Sequence, residues 1–230
     1  MISVIPVEGI GEVTPGAEVA DLVLAAVGLE DYDVLVVTQK VVPKAEGRLV
    51  KLGADTSAAP RELVLSESVR VLREREGLVV SETRHGFVCA NAGVDLSNVP
   101  EGWATLLPID PDRSARHIRD ALRSRTGLTV AVVISDTFGR AWRNGLTDVA
   151  IGCAGIAAIV DLRGTRDANG RELFATEVCI VDEVAAAAEL AKGKANGIPA
   201  AIVRGLDRRW FRESSVRAEL VRAHQRDLFR

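Results

Sequence analysis

VAVVISDTFGRAWRNGLTD, residues 130–148, decides the reading of this chain. Val130 to Ile134 make an apolar, β-branched run of the kind that fills a buried strand. Ser135, Asp136, Thr137, Arg140, Arg143, Asn144 and Asp148 then crowd into the next fourteen positions. A buried strand has no use for such a crowd, so the spacing predicts a strand that ends near Ile134 with a site at its C-terminal end. Asp136 and Thr137 offer oxygen ligands to a hard cation such as Mg²⁺ or Mn²⁺. Arg140 and Arg143 are suited to phosphate or carboxylate oxygens, which a guanidinium grips bidentately. The motif reads as part of a metal-assisted enzyme that handles anionic substrates.

Working outward, the same grammar recurs. DVLVVTQKVV, 33–42, is a second β-branched run, broken by Thr38, Gln39 and Lys40, with Lys44 just beyond. Two lysines there can hold phosphates as point charges, although solvated surface lysines are the plainer alternative. NAGVDLSN, 91–98, sets Asp95 between Val94 and Leu96, with Asn98 three residues on. A carboxylate in apolar company needs an N–H, a basic side chain or a cation as partner. GIGEVTPG, 9–16, is a glycine-bearing turn whose backbone can approach a flat ligand. No GxxxxGK[ST] loop and no GxGxxG after a strand is present, and His85, His117 and His224 lie outside these motifs.

Around these interruptions the pattern alternates strand and helix. Strands are expected at 2–7, 33–42, 78–83, 87–99, 130–134 and 198–206, and helices near 17–28, 61–75, 110–125 and 181–194. Asp110 or Asp112 is the expected cap of the third helix, with Pro111 in its first turn. Asn169-Gly170 marks a hairpin tip, and 213–228 reads as a charged helical tail. Strands mixed with helices give an α/β, or mixed α+β, fold with a mixed sheet.

The bulk numbers narrow the class. With 230 residues, 47% of them hydrophobic and 27% charged, the chain has material for a sizeable core. A net charge of −3 argues against a protein whose main task is holding nucleic acid. Three widely separated cysteines suggest neither a disulfide framework nor a zinc site, and the N-terminus lacks a secretory signal. No apolar run reaches the roughly 20 residues of a membrane span. A cytoplasmic protein without a membrane partner is expected.

VVTQKVVPKAEGRL, AGVDLSN, AVVISDTFGRAWRNGLTDVAIG and AAELAKGKANGIPAAIVRG together resemble the successive motifs of the coenzyme F-420-0 gamma-glutamyl ligases. The similarity runs in order from about residue 4 to about residue 206. It implies a GTP-dependent enzyme that joins L-glutamate to coenzyme F-420-0, a deazaflavin precursor, with a two-lobed α/β fold in an intertwined homodimer. Mg²⁺ or Mn²⁺, with K⁺ as a further cation, are the implied cofactors.

Residue by residue, the resemblance implies metal ligation by Asp95, Asp136 and Thr137. It implies GTP contacts from Ile10, Gly11, Glu12, Val13, Gln39, Lys40, Lys44 and Asn98, and from Gly193 and Lys194 in the loop 192–199. Many archaeal members carry Gln where this chain has Lys194. A protonated lysine cannot ligate a cation, so Lys194 is expected on phosphate. Asp136, Arg140 and Arg143 are the expected catalytic set, the arginines holding the precursor or the incoming glutamate. The ligase domain is expected over 1–206, with 207–230 as the tail and no nitroreductase-like second domain. The competing classes are a metal-dependent nucleotide phosphohydrolase and a non-catalytic nucleotide-binding protein.

Overall fold

The computed structural model describes residues 1–53 and 59–228. In chain order the main elements are β1 (Ser3–Val7), α1 (Val19–Ala26), β2 (Val34–Thr38), α2 (Val41–Ala45), β3 (Leu49–Lys51), α3 (Ala59–Glu67), β4 (Ser68–Arg75), β5 (Leu78–Thr83) and β6 (Val88–Ala90). They continue with β7 (Trp103–Thr105), α4 (Pro111–Thr126), β8 (Ala131–Arg140), β9 (Arg143–Ala154), β10 (Ile159–Asp161), β11 (Glu177–Cys179), α5 (Ile180–Lys192), β12 (Ala200–Arg204) and α6 (Val216–Glu219).

A five-stranded sheet in the order β1-β12-β2-β8-β9 forms the centre, and only β2 and β8 run parallel within it. Alternation along each strand sorts the core into two layers. Leu35, Val37, Val132 and Ile134 pack with α1 and α4 on one face. Val34, Val36, Ala131 and Val133 pack with α5 on the other. The fold is mixed α/β, as the sequence predicts, with smaller sheets β3-β7, β4-β5-β6 and β10-β11 attached. Val64, Val79 and Ala92 form a separate small core under β4-β5-β6.

Asp110, not Asp112, caps α4 by accepting from the Arg113 N–H. Asp112 instead accepts from the backbone N–H groups of Cys153, Val216 and Arg217, tying α4 to β9 and α6. Gly152 on β9 lies against the backbone of Pro111, where a Cβ would overlap it. A side chain there would prise α4 from the sheet.

Five expectations are corrected. The run 33–42 is strand only over Val34–Thr38, because Gln39 and Lys40 turn the chain and Val41 and Val42 open α2. The strand that begins before the polar cluster does not end at Ile134: it continues through Arg140 and turns back into β9. The polar half persists as strand because β9 pairs with it from Ser135 to Arg140, with register shifts at Ile134/Ser135 and Gly139/Arg140. The helix expected over 61–75 stops at Glu67, and 68–75 is β4. β4 pairs with β5 across a Glu76-Gly77 turn in which both residues have positive φ, and β-branched Val69 and Val71 suit that ladder. The strand expected over 87–99 ends at Ala90, because Asn91 and Ala92 take positive φ and the Asn91 side chain accepts from the Val79 N–H. The long helix expected over 213–228 is limited to Val216–Glu219. The charges there serve tertiary pairs, Arg212 with Glu219 and Glu213 with Arg119, rather than one helical face.

Candidate functional site

β8 leaves the core at Ser135, and its alternation sends successive polar side chains to opposite faces. Ser135 and Thr137 face α5, and Asp136 faces the side on which β6 and the Asp95 turn lie. The sequence reading took Asp136 and Thr137 as neighbours in one ligand set. The structure divides them between two polar clusters.

On the first side, Asp95 forms an isolated bridge with Thr105 that fixes its backbone. Its carboxylate accepts from the Ser97 N–H and hydroxyl, both at 2.7 Å, and meets the Lys40 ammonium at 2.9 Å. Burial raises the Asp95 pKa, but Lys40 and Ser97 outweigh it and hold the group below the ordinary range. Lys40 also bonds the Ser97 hydroxyl. Asp136 differs. Burial, then the negative charges of Asp95 and Asp148, push its carboxyl up to about 7 against the Thr137 N–H that it accepts. Cys89 lies close by with its thiol pushed up to about 12 by burial and by Asp136, so it is no thiolate nucleophile.

Gln39 lies just beyond β2, where its N–H donates to the Ser135 carbonyl at 2.7 Å. Its side chain is 1% exposed, and among the described residues its Oε1 has no hydrogen-bond donor. Lys44 pairs with Glu12 at 2.6 Å and so joins α2 to the N-terminal turn. In that turn Ile10 and Val13 pack into the core, leaving Gly11 and Glu12 at the surface. Asn98 is exposed beyond the Asp95 turn, with φ of 56°.

On the α5 side, the Asp148 carboxylate accepts from the Ser135 hydroxyl at 2.9 Å and the Thr137 hydroxyl at 2.7 Å. Lys192 meets it at 3.1 Å, with both side chains 2% exposed. Lys194 meets it at 2.7 Å, contacts the Thr137 hydroxyl and reaches Glu189 at 3.0 Å. Burial pushes Asp148 up, yet Lys192 and then Lys194 and Thr137 hold it well below the carboxylate range. Burial lowers the Lys194 ammonium, and Asp148 and Glu189 more than reverse that. Gly193, at φ of 64°, ends α5 and turns the chain so that Lys194 returns to Asp148.

Sequence reasoning missed Asp148 and Lys192 as a pair. A signal was present: Val181, Val184, Ala185, Ala188 and Lys192 share the buried stripe of α5, and a lysine on such a stripe needs a buried anion. Arg140 and Arg143 are brought together with each other but not with Asp136. They face one another across the hairpin end, exposed, about 13 Å along the strand from Asp136 at ~3.3 Å per residue.

The donor set suits a hard cation. Among the described residues Asp136 has no ion-pair partner, and the buried Gln39 oxygen has no donor. Among the described residues no three His, Cys, Asp or Glu side chains converge as a self-sufficient metal site. A cation beside Asp136 would therefore complete its shell with hydroxyl, phosphate or water oxygens.

A family model, F420-0:Gamma-glutamyl ligase, matches residues 9–205. The chain is 43% identical to the coenzyme F420:L-glutamate ligase of Methanothermobacter thermautotrophicus, covering 100% of this chain and 99% of the relative. The protein of that name from Methanopyrus kandleri is 42% identical over 95% and 94%, and that from Archaeoglobus fulgidus 41% over 100% and 96%. With β2, β8, β9 and β12 of the central sheet, the β8 cluster and the α5 loop all inside the matched span, the chain belongs to the F420-0:gamma-glutamyl ligase family.

Proposed function

We propose that this protein is a GTP-dependent F-420-0 gamma-glutamyl ligase, which joins L-glutamate to coenzyme F-420-0. The observation that carries the reading is Asp136, a carboxylate whose pKa is raised by burial beside the Asp95–Lys40 pair, in a chain that matches coenzyme F420:L-glutamate ligases from end to end.

Amide formation needs an activated carboxylate. A carboxylate oxygen of the precursor attacks the terminal phosphorus of GTP, the bond to the bridging oxygen breaks, and GDP leaves. The glutamate amine then attacks the carbonyl carbon of the acyl phosphate, loses its proton to solvent and expels phosphate. Such transfers depend chiefly on positioning and charge neutralisation. Lys40 and Lys44 supply positive charge at the ends of β2 and α2, and Glu12 tethers the Lys44 ammonium until phosphate displaces it. Asp95 and Asp136 would hold Mg²⁺ or Mn²⁺, which when bound neutralises phosphate charge. Arg140 and Arg143 sit on a hairpin end where they would meet an acidic substrate at the edge of the site rather than at Asp136. A homodimer belongs to the same reading, with exposed Trp142 and Leu146 near that hairpin end as surface for it to cover. Light scattering tests the dimer.

The ligase is tested by incubating the purified chain with F-420-0, L-glutamate, GTP and Mn²⁺ and following glutamyl adducts and GDP by mass spectrometry. Adducts that require all four components are expected. GDP without adducts would replace the reading with a phosphohydrolase, and neither product would leave a binding protein.

A further inference from the structure

We propose that the Lys194 ammonium is a tethered cation that takes the place of a metal ion at Thr137. The inference rests on the reading of Thr137 as a residue of the metal-binding region. Three oxygens surround Nζ: the Thr137 hydroxyl, Asp148 Oδ1 at 2.7 Å and Glu189 Oε1 at 3.0 Å. Two anionic oxygens and a hydroxyl are the donors a hard cation selects. An ammonium has three N–H donors and no acceptor, so these three oxygens use its full capacity.

Charge makes the substitution exclusive. Asp148 and Glu189 bring two negative charges, and Lys192 and Lys194 bring two positive ones. The cluster is already neutral, and a divalent ion added to it would meet an ammonium within a few ångströms. Lys192 cannot yield, since its side chain is 2% exposed, whereas the Lys194 side chain is 57% exposed and stands on the loop that opens at Gly193. The Thr137 hydroxyl donates its proton to Asp148 and accepts from Lys194, which leaves it committed on both sides. Removal of the Lys194 charge therefore opens a cation position bounded by Thr137, Asp148 and Glu189. Asp136 lies on the other face of β8 and is not part of it.

The test is a Mn²⁺ titration of the full-length chain, with free Mn²⁺ read by electron paramagnetic resonance. Lys194→Gln is expected to bind about one more Mn²⁺ per chain than the wild type. Thr137→Val added to it should remove that gain, or weaken it by about tenfold or more. Equal stoichiometry in the wild type and Lys194→Gln overturns the proposal. The metal reading fails separately: a wild-type chain that binds no Mn²⁺, beside a Lys194→Gln chain that binds it, would sink the Asp95–Asp136 assignment and leave the tethered cation standing. Should Lys194→Gln not fold, limiting acetic anhydride on the wild type decides. Lys194 should acylate more slowly than exposed Lys51, and equal rates would refute the cage.

Discussion

On the α5 face of β8, two carboxylates meet two ammonium groups; on the opposite face, Asp136 and Asp95 share the one charge of Lys40. The α5 face is satisfied as it stands, because Ser135, Thr137, Lys192 and Lys194 all converge on Asp148. On the other face Asp136 keeps a carboxyl pushed up to about 7, and only an arriving cation or a proton relieves it. One strand thus carries a charge-balanced cluster and an unbalanced one, on the two faces set by the two-residue period of the pleat. The lesson is that polar density marks a site while charge balance tells which part of it is ready for a ligand.

The same chemical change should have opposite effects on the two faces. Asp148→Asn removes the nearer and more deeply buried of the two carboxylates that face Lys192, leaving its buried ammonium only Glu189 at 3.4 Å, and breaking a buried pair costs about 3–5 kcal/mol. Urea unfolding should show that loss, and adding Lys192→Met should recover much of it because no lone buried charge remains. Asp136→Asn should leave stability unchanged or slightly higher, since it neutralises a carboxylate that lacks an ion-pair partner among the described residues. An equal loss in both variants would break the distinction between the faces.

Turnover should reverse the ranking. Asp136→Asn is expected to lower kcat for adduct formation by about 10²- to 10³-fold, the scale on which one group that stabilises developing charge is felt. Near-wild-type turnover at saturating Mn²⁺ would remove Asp136 from the chemistry. A smaller effect is expected further from it. Lys44→Ala should raise the KM for GTP about tenfold, the worth of one charge-assisted hydrogen bond, with kcat little changed. A GTP dependence identical to the wild type would leave Lys44 with only its Glu12 contact.

How much of this was legible follows from where each signal lies. Val34–Thr38 and Ala131–Ile134 declare themselves as strands by continuous β-branched character, and they are the buried centre of the sheet. Lys40, Asp95 and Asp136 stand out as polar breaks in apolar runs. The α3–β4 boundary did not stand out, because Leu63, Val64, Val71 and Leu72 mimic one helical stripe across it. Only the pairing of Ser68–Arg75 with Leu78–Thr83, a tertiary fact, settles the second half as strand. The Asp148–Lys192 pair spans 44 residues, and Lys192 reads locally as a favourable charge at a helix C-terminus. The stripe of α5 marks Lys192 as buried, but its partner Asp148 appears only when α5 is laid on β9.

The least of the expected effects lies at His85, outside both clusters, where the tail and the small β4-β5-β6 lobe meet the main sheet. His85 Nε2 lies 2.9 Å from the Pro108 carbonyl and 3.2 Å from that of Ile109, and its ring stacks on Phe87 at 5.5 Å. Phe87 in turn meets Phe138 of β8 edge-on at 6.2 Å. Burial pulls the His85 pKa below its ordinary 6.5; the two carbonyls and Glu67 oppose that, and Arg84 adds to it. A base whose folded pKa is depressed binds fewer protons in the native state than in the unfolded one. Its contribution is therefore fully present above about 6.5, the unfolded value, and is lost as pH falls below that toward the folded value. Melting temperatures between pH 7.5 and pH 5 should fall more steeply for the wild type than for His85→Gln, whose amide N–H can still donate to the Pro108 carbonyl without titrating. Parallel slopes would assign the acid sensitivity of this lobe to the carboxylates around it.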